Sequence, residues 1–195
     1  MIYRIHSNIQ HYLSLHIEGR EARKALGQDS DFDIDERPIS YLNHWKTMKV
    51  SFYDAFDGDN KKAVPDISLR LGKLFLNERA YQVLKVLLES DGEFLPVITE
   101  FGGGYIYNCL TVADDLNATD EKLCIHDPLN DRFSIGFIES RLVNCHVFRA
   151  QIDLAGYFCK QEMKDLVEQN NLTGISICED ISNPFPEELN MRRLQ

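Results

Sequence analysis

Asp29, Asp31, Asp33 and Asp35 fall on alternate positions and Glu36 follows at once, five acids in eight residues. Carboxylates so spaced can ligate a hard cation, share acid–base work, or present negative charge to a basic partner. A calcium loop takes oxygen ligands from alternate positions, but it also needs glycine at its sixth position and a bidentate glutamate at its twelfth. Ile34 and Ser40 stand there, so no ordinary calcium loop is expected. Acid–base work needs two carboxyls whose environments drive their pKa values apart, and paired carboxylates such as Asp114 with Asp115 and Glu187 with Glu188 lie in polar stretches that offer no such contrast. What remains is charge, as a solvated face or as a contact surface. Asp114 and Asp115, with Asp120 and Glu121 close by, form a second acidic cluster of the same kind.

Other chemistry-bearing residues lack their partners. Gly102, Gly103 and Gly104 invite a phosphate loop, yet no lysine follows them and strand-like runs flank them. A phosphate cradle needs its N–H groups converging at a helix start, so a flexible hairpin loop is expected instead. Cys124 with His126, and Cys145 with His146, bring soft ligands together without zinc spacing. Neighbouring residues on a strand face opposite ways, so Cys145 and His146 are not expected to share an ion. No cysteine or serine sits at a glycine-rich strand-to-helix turn. The expectation is therefore no metal, no cofactor and no catalytic residues.

The charge balance narrows the partners. Acidic residues number 31 against 21 basic, a net charge of −10. Such a surface repels phosphate backbones and anionic lipids, so neither nucleic acid nor membrane is an expected partner. Five scattered cysteines, an odd number without a C-x-x-C pair, suit reduced thiols. With no signal-like start and no apolar run near 18 residues, a cytoplasmic protein is expected.

These side chains need a scaffold, and the patterning predicts an α+β fold, mostly antiparallel strands with two principal helices, about 77–91 and 160–170. The first helix is the clearest: Ala80, Val83, Leu84, Leu87 and Leu88 form one stripe, with Asn77 as N-cap and Gly92 as the terminating glycine. A shorter helix fits 18–28. Met48, Val50 and Phe52 alternate as a half-buried strand, followed by a turn at residues 57–60. Asp66 to Leu69 reads as extended. Two runs, 94–99 and 105–112, read as a hairpin whose Pro96 implies an edge or irregular position in the first strand. Further strands fit 133–137, the stretch from His146 to Ile152, and 175–178. The expected core is Met48, Val50, Phe52, Val83, Leu84, Leu87, Phe94, Leu110, Phe133, Ile135 and Phe148. One domain spans 1–195, with 1–44 its least readable part and 180–195, holding Pro184 and Pro186, a loosely attached tail.

Over residues 45–178 an ordered set of landmarks resembles a known family. It comprises Trp45 with Val50, Phe52 and Tyr53; Val64, Pro65, Asp66, Ile67 and Ser68; Leu71 and Gly72; and Leu76 through Tyr81 with Leu84, Leu87 and Leu88. Gly92 through Val97, Tyr107 with Asn108, Val112 through Leu116, and Leu172 through Gly174 complete it. The set resembles immunity proteins of bacterial polymorphic toxin systems, a family first known as a domain of unknown function. The resemblance implies a non-enzymatic protein that binds a cognate toxin domain, encoded by the adjacent gene, and blocks it in the producing cell. Alternatives are another intracellular protein-interaction module on the same scaffold, or an unrecognised hydrolase. Most matching residues have packing or turn explanations; Trp45 and Asp66 are the exceptions, and so candidates for partner contact. A toxin that is a nuclease would be basic, which makes the acids at 29–36 the first expected contact and those near 114 the second.

Overall fold

Strands whose successive residues are all apolar can persist only where both sheet faces are covered. In the computed structural model, which describes residues 1–56, 62–127 and 132–183, two sheets are covered in this way. The strands are β1 (Ile2–Ser7), β2 (Ser14–His16), β3 (Met48–Lys49), β4 (Ser51–Tyr53), β5 (Ile67–Arg70), β6 (Lys73–Asn77), β7 (Gly92–Thr99) and β8 (Gly102–Cys109). After them come β9 (Ile125–Asp127), β10 (Arg132–Ser134), β11 (Val147–Ala150), β12 (Asp153–Lys160) and β13 (Ile175–Cys178). The helices are α1 (Gly19–Leu26), α2 (Glu78–Leu88) and α3 (Gln161–Gln169). One sheet runs β11-β12-β1-β13 and the other β3-β7-β8-β6-β5; β2 pairs with β4, and β9 with β10. Among the described strands every pairing is antiparallel except that of the two-residue β3, which lies parallel to β7. The chain is α+β, as its patterning predicts.

Strand alternation distributes side chains among three cores. Tyr3, Ile5, Leu74, Leu76, Tyr107, Cys109, Tyr157 and Cys159 point into the central one, which α2 and α3 close. From the same strands, Phe75 and Ile106 point the other way, into a second core with α1, Phe32, Met48 and Val50. Ile2, Phe148, Ala150 and Phe158 join Ile135 and Leu142 in a third.

The α2 stripe is as read, but it is not evenly buried. Asn77 Oδ1 accepts from the Ala80 N–H at 2.9 Å, closing the N-terminus. Ala80, Leu84 and Leu88 are fully buried, while Val83 and Leu87 pack half-buried against them. The helix stops at Leu88, and Gly92 opens β7 instead of ending the helix. A side chain at Gly92 would put its Cβ 2.4 Å from Asn108 O, so glycine there permits close strand approach.

The triple glycine is also corrected. Thr99 pairs with Gly102, leaving Glu100 and Phe101 as the hairpin turn and the glycines inside β8. A Cβ at Gly104 would lie 2.6 Å from the Phe75 ring; the glycine is the floor on which Phe75 packs. Pro96 is tolerated because β3 borders β7 only at Val97 and Ile98.

Among the strands that the sequence patterning leaves unread are β1, β6 and β12. The hidden β1 is an inner strand, between β12 and β13, so the least readable segment is structurally central. Leu110 is half-buried and belongs to none of the three clusters, contrary to expectation. The tail begins attached: Ile181 packs on the third core and Ser182 Oγ accepts from Ile135 N at 2.9 Å. The turn at 57–60, Pro184 with Pro186, Glu187 with Glu188, and the Phe133 side chain lie outside the described residues.

Candidate partner interface

Residues 29–44 form no strand, because side chains from the sheets take up their backbone groups. Arg149 Nη1 donates to Glu36 O at 2.9 Å, and Lys73 Nζ donates to Asp35 O. Asn108 Nδ2 donates to Ile39 O at 2.8 Å. The Glu93 carboxylate accepts from Ser40 Oγ, Tyr41 N and Leu42 N at 2.6, 2.7 and 3.3 Å. Phe32, fully buried, anchors the strap edge-on between Tyr41 and Trp45, with centroids 4.8 and 5.1 Å away.

Beneath the strap runs a buried polar chain. Asn108 donates to Glu93 Oε1 at 2.9 Å and accepts from Arg149 Nη2 at 2.8 Å. Arg149, only 1% exposed, also donates to the Tyr157 hydroxyl at 3.0 Å and lies over its ring. The amide thus links a buried carboxylate to a buried guanidinium, and isolated charges would be costly at that depth. Burial, reinforced by the Arg149 charge, pushes the Lys73 ammonium down to about 8. These residues carry no motif. Their signal in the sequence is a charge placed inside an apolar run: Lys73 before Leu74, Glu93 before Phe94, Arg149 between Phe148 and Ala150.

The strap narrows the acidic face that the sequence implies. Asp29 and Asp31 are exposed, and Asp31 lies 3.8 Å from Arg37. Asp33 is half-buried against the start of α1; a Cβ at Gly19 would meet its Oδ2 at 2.8 Å. Glu36 is half-buried. Asp35, with a side chain 4% exposed, accepts from Arg37 Nε and Nη2 at 2.8 and 2.7 Å and from Tyr41 OH at 3.1 Å. Its bonds from Arg37 hold the Asp35 carboxyl at about 2 despite burial, and burial beside Asp35 raises the Tyr41 phenol. What faces outward is mixed: Asp29 and Asp31 together with Ile34, Ile39 and Leu42, which are 66%, 43% and 58% exposed. Composition alone did not show that apolar component.

Asp35 makes a testable contribution. Its folded pKa lies below its ordinary 3.8, so the interaction stabilises the fold above about pH 4 and is lost as pH falls through about 2. Denaturant midpoints should fall more steeply across that window in wild type than in Asp35→Asn. Parallel pH curves would contradict the assignment.

The remaining candidates are placed as follows. Trp45 is half-buried and donates through Nε1 to Pro96 O at 2.9 Å, which ties the strap to β7. Asp66 is buried and joins three elements. It accepts from Asn77 Nδ2, Arg79 Nη1, Thr173 N and Thr173 Oγ1, all within 2.8–2.9 Å. Burial alone would raise this carboxyl; the bonds from Thr173 and Asn77 and the Arg79 charge outweigh it and hold it low. Asp114 accepts from Gln151 N at 2.8 Å and is half-buried, while Asp115 is exposed. Among the described residues no three His, Cys, Asp or Glu side chains gather as a metal site. No helix among them is long and apolar enough to cross a membrane. Neither a family model nor a curated protein matches the chain.

Proposed function

We propose that this is an immunity protein: a non-enzymatic binder that seizes a toxin domain encoded by the adjacent gene and blocks it inside the producing cell. The observation carrying the reading is the strap. Two exposed acids, Asp29 and Asp31, are followed along it by three exposed aliphatic side chains, Ile34, Ile39 and Leu42, and buried side chains fix its backbone from below. A fixed, partly apolar surface with charge at its margin is what a tight protein interface requires, because little ordering entropy remains to be lost on docking. The landmarks over residues 45–178 that resemble toxin-immunity proteins point to the same role.

The mechanism is occlusion steered by charge. A nuclease toxin holds phosphates with a basic surface, and a chain of net charge −10 meets it with complementary potential. Asp29 and Asp31 orient the encounter; Ile34, Ile39 and Leu42 supply the apolar area that slows dissociation. The toxin stays chemically intact and regains activity when released.

Co-expression with the toxin domain of the neighbouring gene tests this. Restored growth, a one-to-one complex on purification, and active toxin recovered after denaturing separation are the expected results. A toxin that is cleaved or modified, or that fails to co-purify, would refute occlusion.

A further inference from the structure

A cavity of about 420 Å3 opens where β1, the start of β12 and the turn after β5 face the chain around Tyr53. Arg4 and His6, on one face of β1 and 5% and 6% exposed, form its floor. Arg4 donates to Asp153, the only acidic side chain among the described residues of the lining. His6 Nε2 is buried and has no hydrogen-bond partner among the described residues. At the mouth, half-buried Arg70 donates to the Tyr53 hydroxyl and lies over that ring, 5.1 Å from its centroid. Arg70 forms no ion pair among the described residues.

These features run against the rest of the protein. The chain has 31 acids to 21 bases, and Arg4 has Asp153 with Asp180 nearby, yet Arg70 pairs with no carboxylate among the described residues. The mouth of the cavity therefore carries an uncompensated positive charge at Arg70, and its floor holds a polar nitrogen without a partner among the described residues. Buried polar atoms in folded proteins are nearly always satisfied, and ligand sites commonly combine a concave space of this size with a few convergent polar groups.

We propose that the cavity binds a small organic oxyanion, a carboxylate or a phosphate ester, whose charged head docks on Arg70 and whose uncharged polar group reaches His6 Nε2. A guanidinium presents a planar donor fork that matches two oxyanion oxygens. Burial, with the nearby Arg4 charge, pushes the His6 imidazole down to about 4. The ring is thus neutral near pH 7 and offers one donor and one acceptor, which suits a hydroxyl or amide better than a second charge. This site stands apart from the strap and does not depend on the immunity role.

Ring-nitrogen correlation spectra of isotope-labelled protein, with the His6 signals assigned through His6→Gln, give a direct readout. The probes are 4-hydroxybenzoate, glycerol 3-phosphate and inorganic phosphate. Saturable shifts of the His6 ring are expected with at least one organic probe, more tightly than with inorganic phosphate. Arg70→Gln should weaken that binding about tenfold, the loss of one charged hydrogen-bonding contact, with Arg70→Lys between it and wild type. Arg20→Gln, exposed on α1 and away from the cavity, should leave it unchanged. No saturable His6 shift with any probe, or equal weakening by Arg20→Gln, would overturn the site. Thermal midpoints of the variants within a degree or two of wild type separate lost binding from lost folding.

Discussion

Glu93→Ala should destabilise the fold by about 3–5 kcal/mol, the range for removing one partner from a buried charged network. The carboxylate accepts from Ser40, Tyr41, Leu42 and Asn108. Its loss leaves those donors without their acceptor and removes the negative end of the chain that leads to Arg149. Two readouts are expected together: a lower denaturant midpoint, and fast hydrogen exchange at the Tyr41 and Leu42 amides. Loss of stability with those amides still protected would mean that the strap is held by something other than Glu93.

Leu84→Ala is expected to cost about 2–5 kcal/mol, since a fully buried leucine leaves a cavity in the central core. Leu87→Ala should cost clearly less, because Leu87 is half-buried and its side chain borders solvent. Paired denaturant melts decide it. Equal midpoints for the two variants would contradict the orientation of α2.

That helix was legible because it is covered on one side only, so its stripe repeats with the helical period. By contrast, β6 and β12 are covered on both faces: Leu74 and Leu76 enter one core while Phe75 enters another, and Tyr157 and Cys159 oppose Phe158 likewise. Continuous apolar runs of that length have no period to read. The two glycine corrections share a cause. Gly92 and Gly104 are required by a neighbouring strand and a neighbouring ring, contacts that local turn chemistry does not encode.

At the candidate interface, the sequence located the acids but not their use. Asp35 is spent on Arg37 and Tyr41, a local arrangement within six residues. Asp66 is satisfied largely by Thr173, 107 positions away, and no local pattern forecasts that meeting. The apolar half of the strap was hidden for a similar reason. Phe32 and Ile34 share the same polar surroundings in sequence, yet one is fully buried and the other 66% exposed.

The strap as a steering surface is tested most directly by association kinetics with the neighbouring toxin domain at two ionic strengths. Asp29→Asn with Asp31→Asn removes the exposed negative charges and leaves Asp35, Glu93 and the anchored backbone intact. The double variant should associate roughly three- to tenfold more slowly at low salt, with a flatter salt dependence and an unchanged folding midpoint. Wild type and variant sharing one association rate and one salt slope would contradict the strap as the surface that meets the toxin.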